Sequence, residues 1–488
     1  MKNKVQLITY PDSLGGNISK INVILMNYFQ DVFEGGVHIL PPFPSSGDRG
    51  FAPTTYFEIN PAFGNWQDIT RIGKRFDLMV DVMVNHISRF SKYFQDFLSF
   101  GRKSEYADMF LTLDKIWPDG NPLQEDIDKI FLRKPEHPFL NIQILETGEI
   151  EKVWTSFGPR VDYSEQMDLD VNSPVTRAFF VRLLNFLGAK GVKNIRIDAV
   201  GYVIKKPGTS CFMVEPEIYE FLDWLTGHAR DAGIELLAEV HDHYTTQFRL
   251  AEQGYWVYNF VLPMLILHSL TNHSSKKLKA HLKICPRKQI TMLDCHDGIP
   301  VQPDMDDILT VQESKRIVDL CIQRGANLNR IISELKNNTG FDTHQINITY
   351  FDALDRDDDA YLAARAIQFF SPGIPQVYYV GLLAGENDLK RYNETGEGRE
   401  INRHNFTIDE IEKKLETQVV QRLLKLCRFR NNFAAFDGEI DIMDSIDSKL
   451  SIRWQKNKEI CQLNVDLESF KTEIQFTNQN GKWESFMV

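Results

Sequence analysis

The sequence predicts an α/β protein: a (β/α)8 TIM barrel with two inserted lobes over the barrel mouth and a small C-terminal β domain. Three observations predict it. Eight short apolar runs rich in β-branched residues recur along the chain, each ending in a polar cluster and most leading into a longer stretch of helical periodicity. Two of the gaps between runs are too long for a single helix. The tail alternates apolar and polar residues, the period of half-buried antiparallel strands.

The runs are VQLITYPDS from Val5, GVHILPPFPSS from Gly36, FDLMVDVMVNH from Phe76, VKNIRIDAVGY from Val192, IELLAEVHDH from Ile234, YWVYNFVLP from Tyr255, QITMLDCHDG from Gln289 and IPQVYYVGLLAG from Ile374. In an eightfold barrel the active site lies at the carboxyl ends of the strands, so Asp12, His86, Asp198, Glu239 and Asp297 are expected at one mouth. The gap from His86 to Val192 holds Trp117, Pro122 and Trp154; the gap from Gly298 to Ile374 holds the Asp-rich run DRDDDAYLAAR. Both are expected as inserted lobes. The barrel then takes residues 1–87, 165–298 and 358–434, the first lobe 88–164, the second 299–357, and the β domain 435–488. In that last domain KLSIRWQ, EICQLNVDL and TEIQFTN carry the alternation. The Asp run lacks the glycine and distal glutamate of an EF-hand loop and precedes AYLAARAIQFF, so it is expected to start a helix rather than bind calcium.

The chain has 488 residues, of which 43% are apolar, and a net charge of −12. A net negative surface disfavours nucleic acid and anionic lipid as partners. Cys211, Cys285, Cys295, Cys321, Cys427 and Cys461 are scattered with no metal or redox spacing and are expected as free buried thiols. No stretch has the length of a signal peptide's apolar core before Pro11, and no window reaches a membrane span. A cytoplasmic protein is expected.

Asp198, Glu239 and Asp297 each end a run expected to be buried, where an unpaired charge is costly. Glycosyl transfer with retention needs two carboxyl groups about 5 Å apart, one attacking the anomeric carbon and one moving a proton. Arg196, two residues before Asp198 on the same strand face, is placed to keep a nucleophilic Asp198 ionised. Glu239 follows the apolar IELLA, where partial desolvation suits a proton donor. His86 and His296 flank the set as donors to sugar hydroxyls.

At this point the residues match a family. VDVMVNH, NIRIDAVGY, LLAEVHDHY and MLDCHDG resemble, in order, the four sequence blocks of the α-amylase superfamily (glycoside hydrolase family 13), and QMDLDV from Gln166 looks like its additional block. ITYPDSLGG, GVHILPPFPSSGDRGFAP, GTSCF, PGIPQVYYVGLLAG and GREINRHN are similar to the sucrose phosphorylase branch nearly from end to end. The resemblance implies Asp198 as nucleophile, Glu239 as general acid/base and Asp297 as the acid that binds the sugar's 2- and 3-hydroxyls. It implies Asp48 and Arg403 as the pair that recognises glucose, Phe51 as an apolar wall beside it, and Tyr202 and Gln345 on the acceptor side. The implied reaction is a double displacement in which inorganic phosphate releases α-glucose 1-phosphate. No metal or cofactor is implied, and the partners are a small sugar and phosphate.

Within the branch two loop segments bear on the acceptor, FLRKPEHPF and GFDTHQINITY. His344 stands where sucrose phosphorylases typically carry Tyr, and with Arg133 and Lys134 it offers donors and positive charge to a phosphate dianion. This combination resembles the members acting on sucrose phosphorylated on its fructosyl 6-position. The alternatives are free sucrose, then glucosylglycerate or glucosylglycerol, a hydrolase or transglucosidase on the same barrel, and a non-catalytic barrel subunit. The oligomeric state is left open.

Overall fold

The computed structural model describes residues 1–158, 164–305, 307–331, 341–478 and 480–488. The eight runs form β1 (Gln6–Thr9), β2 (Gly36–Ile39), β3 (Leu78–Met83), β4 (Val192–Asp198), β5 (Glu235–Ala238), β6 (Trp256–Asn259), β7 (Gln289–Thr291) and β8 (Ile374–Tyr378). They close into a barrel in the order β1, β8, β7, β6, β5, β4, β3, β2. Every residue of β1, β2, β3 and β8 is buried, which is why these segments read as continuous apolar runs rather than alternating ones. Parallel register sets Asp81 of β3 opposite Arg196 of β4, and Arg196 opposite Leu237 of β5.

The chain divides into two compact units, one of Met1–His38, His241–Arg330 and Phe341–Val488, the other built on Ile39–Val240. In the first, the Asp run leads into the helix Asp358–Phe370, whose N-terminus Asp357 caps by accepting from the Ala360 amide at 2.8 Å. Asp358 and Asp359 occupy its first turn, the favourable end of the helix dipole for acids. From Ala360 to Phe370 every residue is buried, and the helix packs on Gln418–Asn432.

The tail forms a five-stranded antiparallel meander of β9 (Glu439–Met443), β10 (Lys449–Lys456), β11 (Glu459–Asp466), β12 (Thr472–Thr477) and β13 (Trp483–Met487). Its inward face carries Leu450, Ile452, Trp454, Cys461, Leu463 and Val465, in the period of two that the sequence shows. The indole of Trp454 donates to the Phe370 carbonyl at 2.8 Å, so the sheet is fastened to the buried helix by a bond as well as by packing. The insertion after β7 has its own antiparallel sheet, with Thr343–Asn347 between Ile299–Pro300 and Asn327–Arg330.

In the second unit, His86–Ser88 pairs antiparallel with Gln166–Asp168, and Phe139–Gln143 with Ile150–Trp154. The unit also holds a core of Leu111, Leu113, Ile116, Trp117, Ile127, Ile130, Trp154 and Cys211. Trp117 stacks on Trp154 with centroids 5.9 Å apart. Such a core gives the insertion its own rigidity.

All six cysteines are free and buried. Burial pushes the Cys285, Cys321 and Cys427 thiols up to about 12 and raises those of Cys211 and Cys461, so little thiolate exists at neutral pH. Among the described residues no helix is long and apolar enough to cross a membrane. We expect the native protein to resist a thiol-disulfide reagent such as DTNB for hours and to release six equivalents after unfolding in guanidinium. More than one equivalent within minutes in the native state would contradict this burial.

Candidate active site

In the second unit, strand alternation puts Arg196 and Asp198 on one face of β4, and Asp81 lies across from Arg196 on β3. Glu239 directly follows β5, its amide donating to the Ile197 carbonyl at 3.2 Å. One guanidinium therefore meets three carboxylates. Arg196 Nη1 lies 2.6 Å from Asp81 and 2.9 Å from Asp198, and Nη2 lies 2.8 Å from Glu239. Asp81 and Arg196 are buried, whereas the Asp198 and Glu239 side chains keep 14% and 11% of their exposure, enough to meet a ligand. Ala199, next after Asp198, is held at φ 55°, a left-handed conformation unfavourable for a residue with a Cβ. That turn aims the Ala199 amide at the second oxygen of Glu239, 3.1 Å away.

Phe51 is buried, with its ring 5.7 Å from the Arg196 guanidinium. Its carbonyl accepts from His86 Nε2 at 3.0 Å and from the Gln166 amide at 3.1 Å, so in this structure His86 fastens Phe51. The turn Asp48–Gly50 precedes it. Gly50 sits at φ 113°, where a Cβ would come within 2.8 Å of the Pro41 carbonyl, so only glycine fits. The Asp48 side chain lies outside the described residues. Tyr202 is packed among Phe131, Phe157 and Phe212, with centroids 4.7 to 6.2 Å away.

Neighbours in the loop after Phe131 part ways: Arg133 is half-buried, but Lys134 has no exposed surface. Lys134 Nζ hydrogen-bonds Thr155 Oγ1. The nearby buried carboxylate, Asp168, is already engaged by Lys205 at 2.7 Å, Asn85 at 3.1 Å and the Ser156 amide at 2.8 Å. The charge that the sequence suggests for an acceptor pocket is thus directed inward in this structure, where burial outweighs the pull of Asp168 and lowers the amine to about 8.

In the first unit, Asp297 follows β7 and is gripped by the 3₁₀ turn Gly398–Asn402 and the residue after it. Asn402 donates to the Cys295 and Asp297 carbonyls at 3.2 and 2.9 Å, and Arg403 Nε to the His296 carbonyl at 2.8 Å. Arg399 Nη1 makes the short ion pair, 2.8 Å to Asp297 Oδ1, while Arg403 Nη2 stands 4.0 Å off. His296 packs edge-on against Tyr10. Three residues upstream, buried Asp294 takes both oxygens to Arg365 Nη2 at 2.8 Å, and a Cβ on Gly381 would fall 1.9 Å from that nitrogen. Gly381 is therefore required for the salt bridge that anchors this strand end.

On the strand Thr343–Asn347, His344 and Gln345 are buried. His344 Nδ1 donates to the Gln302 carbonyl at 2.6 Å, and its ring meets His241 edge-on at 5.8 Å. Gln345 Oε1 accepts from Asn329 and Arg399, each at 3.3 Å.

Sequence reasoning brought out Arg196 and the three strand-end acids but not Asp81, Arg399 or the Asp294–Arg365 pair. Asp81 had a visible signal, an acid inside the apolar LMVDVM. Arg399 lay in the quoted GREINRHN, and its only signal was a second arginine one helical turn from Arg403. Nothing in the sequence joined Asp294 to Arg365, because their pairing depends on the barrel closing.

The lowered Lys134 amine makes stability depend on pH. Between about 8 and an unfolded value near 10.4 the unfolded chain binds the extra proton, so stability rises with pH across that window, and below it the cost of the buried charge stays in full. Lys134→Met is expected to raise Tm at pH 7, by a stabilisation of at most about 3 kcal/mol, with the advantage fading by pH 10.5. Equal or lower Tm at every pH would exclude a strained buried amine.

Comparison with known proteins agrees with this geometry. Residues 12–298 match the alpha amylase catalytic domain model. Over the whole of both chains the sequence is 58% identical to a sucrose 6(F)-phosphate phosphorylase of Thermoanaerobacterium thermosaccharolyticum. It is 45% identical to a sucrose phosphorylase of Streptococcus mutans across 99% of each. The crystal structure of a sucrose 6F-phosphate phosphorylase from Thermoanaerobacter thermosaccharolyticum superposes with a TM-score of 0.96 at 58% identity, covering 100% of this chain and 98% of that one. The chain belongs to the α-amylase family, glycoside hydrolase family 13, in its sucrose phosphorylase branch.

Proposed function

We propose that the protein is a retaining glycoside phosphorylase that cleaves sucrose 6-phosphate with inorganic phosphate, giving α-D-glucose 1-phosphate and fructose 6-phosphate. The observation that carries the reaction is the Arg196 guanidinium, which holds Asp198 on one terminal nitrogen and Glu239 on the other. That spacing favours the short carboxyl separation, about 5 Å, of double-displacement enzymes. The observation that favours the phosphorylated substrate is full-length identity of 58% to a protein of that name, with His344 and Arg133 supporting it.

In this reading Asp198 attacks the anomeric carbon as Glu239 gives its proton to the fructosyl oxygen, and fructose 6-phosphate leaves a β-glucosyl ester on Asp198. Phosphate then loses a proton to Glu239 and attacks the same carbon, so the ester breaks and the configuration is retained. Asp297 binds the 2- and 3-hydroxyls, Asp48 and Arg403 recognise the glucosyl unit, and Phe51, set by His86, walls it, with His296 beside Asp297. Tyr202, Gln345, Arg133 and His344 face the acceptor. A protonated His344 presents Nε2–H, since Nδ1–H is committed to Gln302. The partners are a sugar phosphate and phosphate, and the place of work is the cytoplasm, where reduced thiols persist.

Release of α-glucose 1-phosphate in phosphate buffer should show kcat/KM for sucrose 6-phosphate more than about a hundredfold above sucrose, a gap that His344→Tyr collapses. Equal or better use of free sucrose would turn the reading to sucrose phosphorylase. Asp198→Asn is expected to lower kcat by about four orders of magnitude with Tm nearly unchanged, since it removes the attacking oxygen and little packing. Retained turnover would disqualify Asp198 as nucleophile.

A further inference from the structure

The guanidinium of Arg399 is shared between two functions. Nη1 lies 2.8 Å from Asp297 and Nη2 donates to Gln345 Oε1 at 3.3 Å. We propose that Arg399 is a positioning residue that couples the two halves of the reaction, holding Asp297 for the glucosyl hydroxyls and Gln345 for the acceptor with one rigid fork. This rests on the reading of Asp297 and Gln345 given above.

The fold supports a functional rather than a structural role for this side chain. Its turn is already secured by other residues: Asn402 on the carbonyls of Cys295 and Asp297, Asn327 donating to the Gly398 carbonyl at 2.8 Å, and Glu400 between Arg391 and Arg403. Arg399 itself keeps 27% of its side-chain exposure, so it is not part of the core. Among the described contacts it joins a carboxylate that must stay ionised to accept two hydroxyl hydrogen bonds and an amide that must keep its orientation. The ion pair and the hydrogen bond use the two terminal nitrogens of one planar group, a geometry lysine lacks. Asp297 is also approached by His296 Nε2 at 3.8 Å, by Arg403 at 4.0 Å and by a His241 ring nitrogen within 4.8 Å. Among the described pairs Arg399 is the nearest of these cations, and its loss should be felt most in the acidic limb of the rate profile.

The test uses the full chain, with phosphorolysis of sucrose 6-phosphate followed against pH and release of free glucose recorded beside α-glucose 1-phosphate. Arg399→Gln is expected to lower kcat/KM about thirtyfold or more, chiefly in kcat, and to move the acidic limb to higher pH. Arg399→Lys should bring the limb back, because it restores the charge, yet leave KM for inorganic phosphate raised severalfold, because it cannot also hold Gln345. Tm should stay within a few degrees in both. Asp297→Asn separates the two layers of the argument. If it leaves turnover intact, the reading of the site fails; if it abolishes turnover while both Arg399 variants keep wild-type kinetics, or lose activity only in step with Tm, the coupling role fails.

Discussion

The constraint on which the catalytic half of this protein depends is the burial of a single positive charge. Arg196 is nearly inaccessible, and a guanidinium taken out of water costs several kcal/mol unless its donors are matched by acceptors. Asp81 supplies the fully buried acceptor, across the β3–β4 register, and Asp198 and Glu239 take the remainder. The same interactions that make Arg196 tolerable therefore fix Asp198 and Glu239, the pair proposed to react. Removing Asp81, the fully buried acceptor, is the change that would leave the guanidinium least compensated.

A second principle recurs around the barrel: strand ends are held by buried charge pairs. Asp294 and Arg365 form such a pair three residues before Asp297, and Gly381 is obliged to be glycine because the guanidinium occupies the space a side chain would take. Lys205 and Asp168 form another, with Asp168 on the strand that returns from the first insertion. Burial pushes the Asp294 carboxyl up against the pull of Arg365, while Tyr361 and Gln368 accept from Nε and Nη1 of the guanidinium. On the proposed reading such pairs set the precision with which the strand-end acids are held.

The proposed acceptor side is built differently. His344 and Gln345 stand on a short antiparallel strand of the second insertion rather than on the barrel, with His344 bonded to the Gln302 carbonyl and Gln345 held by Asn329 and Arg399. On the proposed reading, specificity for the leaving group can change by substitution in these loops while the carboxylates on the barrel strands stay as they are.

By itself the sequence determined the eight barrel strands, the C-terminal sheet and the strand-end acids, because burial on both faces writes a continuous apolar run, burial on one face writes an alternation, and a carboxylate ending an apolar run has no structural excuse. The helix starting at Asp358 was legible for the same kind of local reason, its acids being placed by the dipole of the turn they begin. The tertiary structure alone decided which partner each charge finds. Lys134 and Arg133 are adjacent in sequence and alike in charge, yet one is buried on Thr155 and the other half-exposed, and Arg399 rather than Arg403 makes the short contact with Asp297. Such choices depend on distances between residues far apart in the chain, which periodicity and composition do not encode.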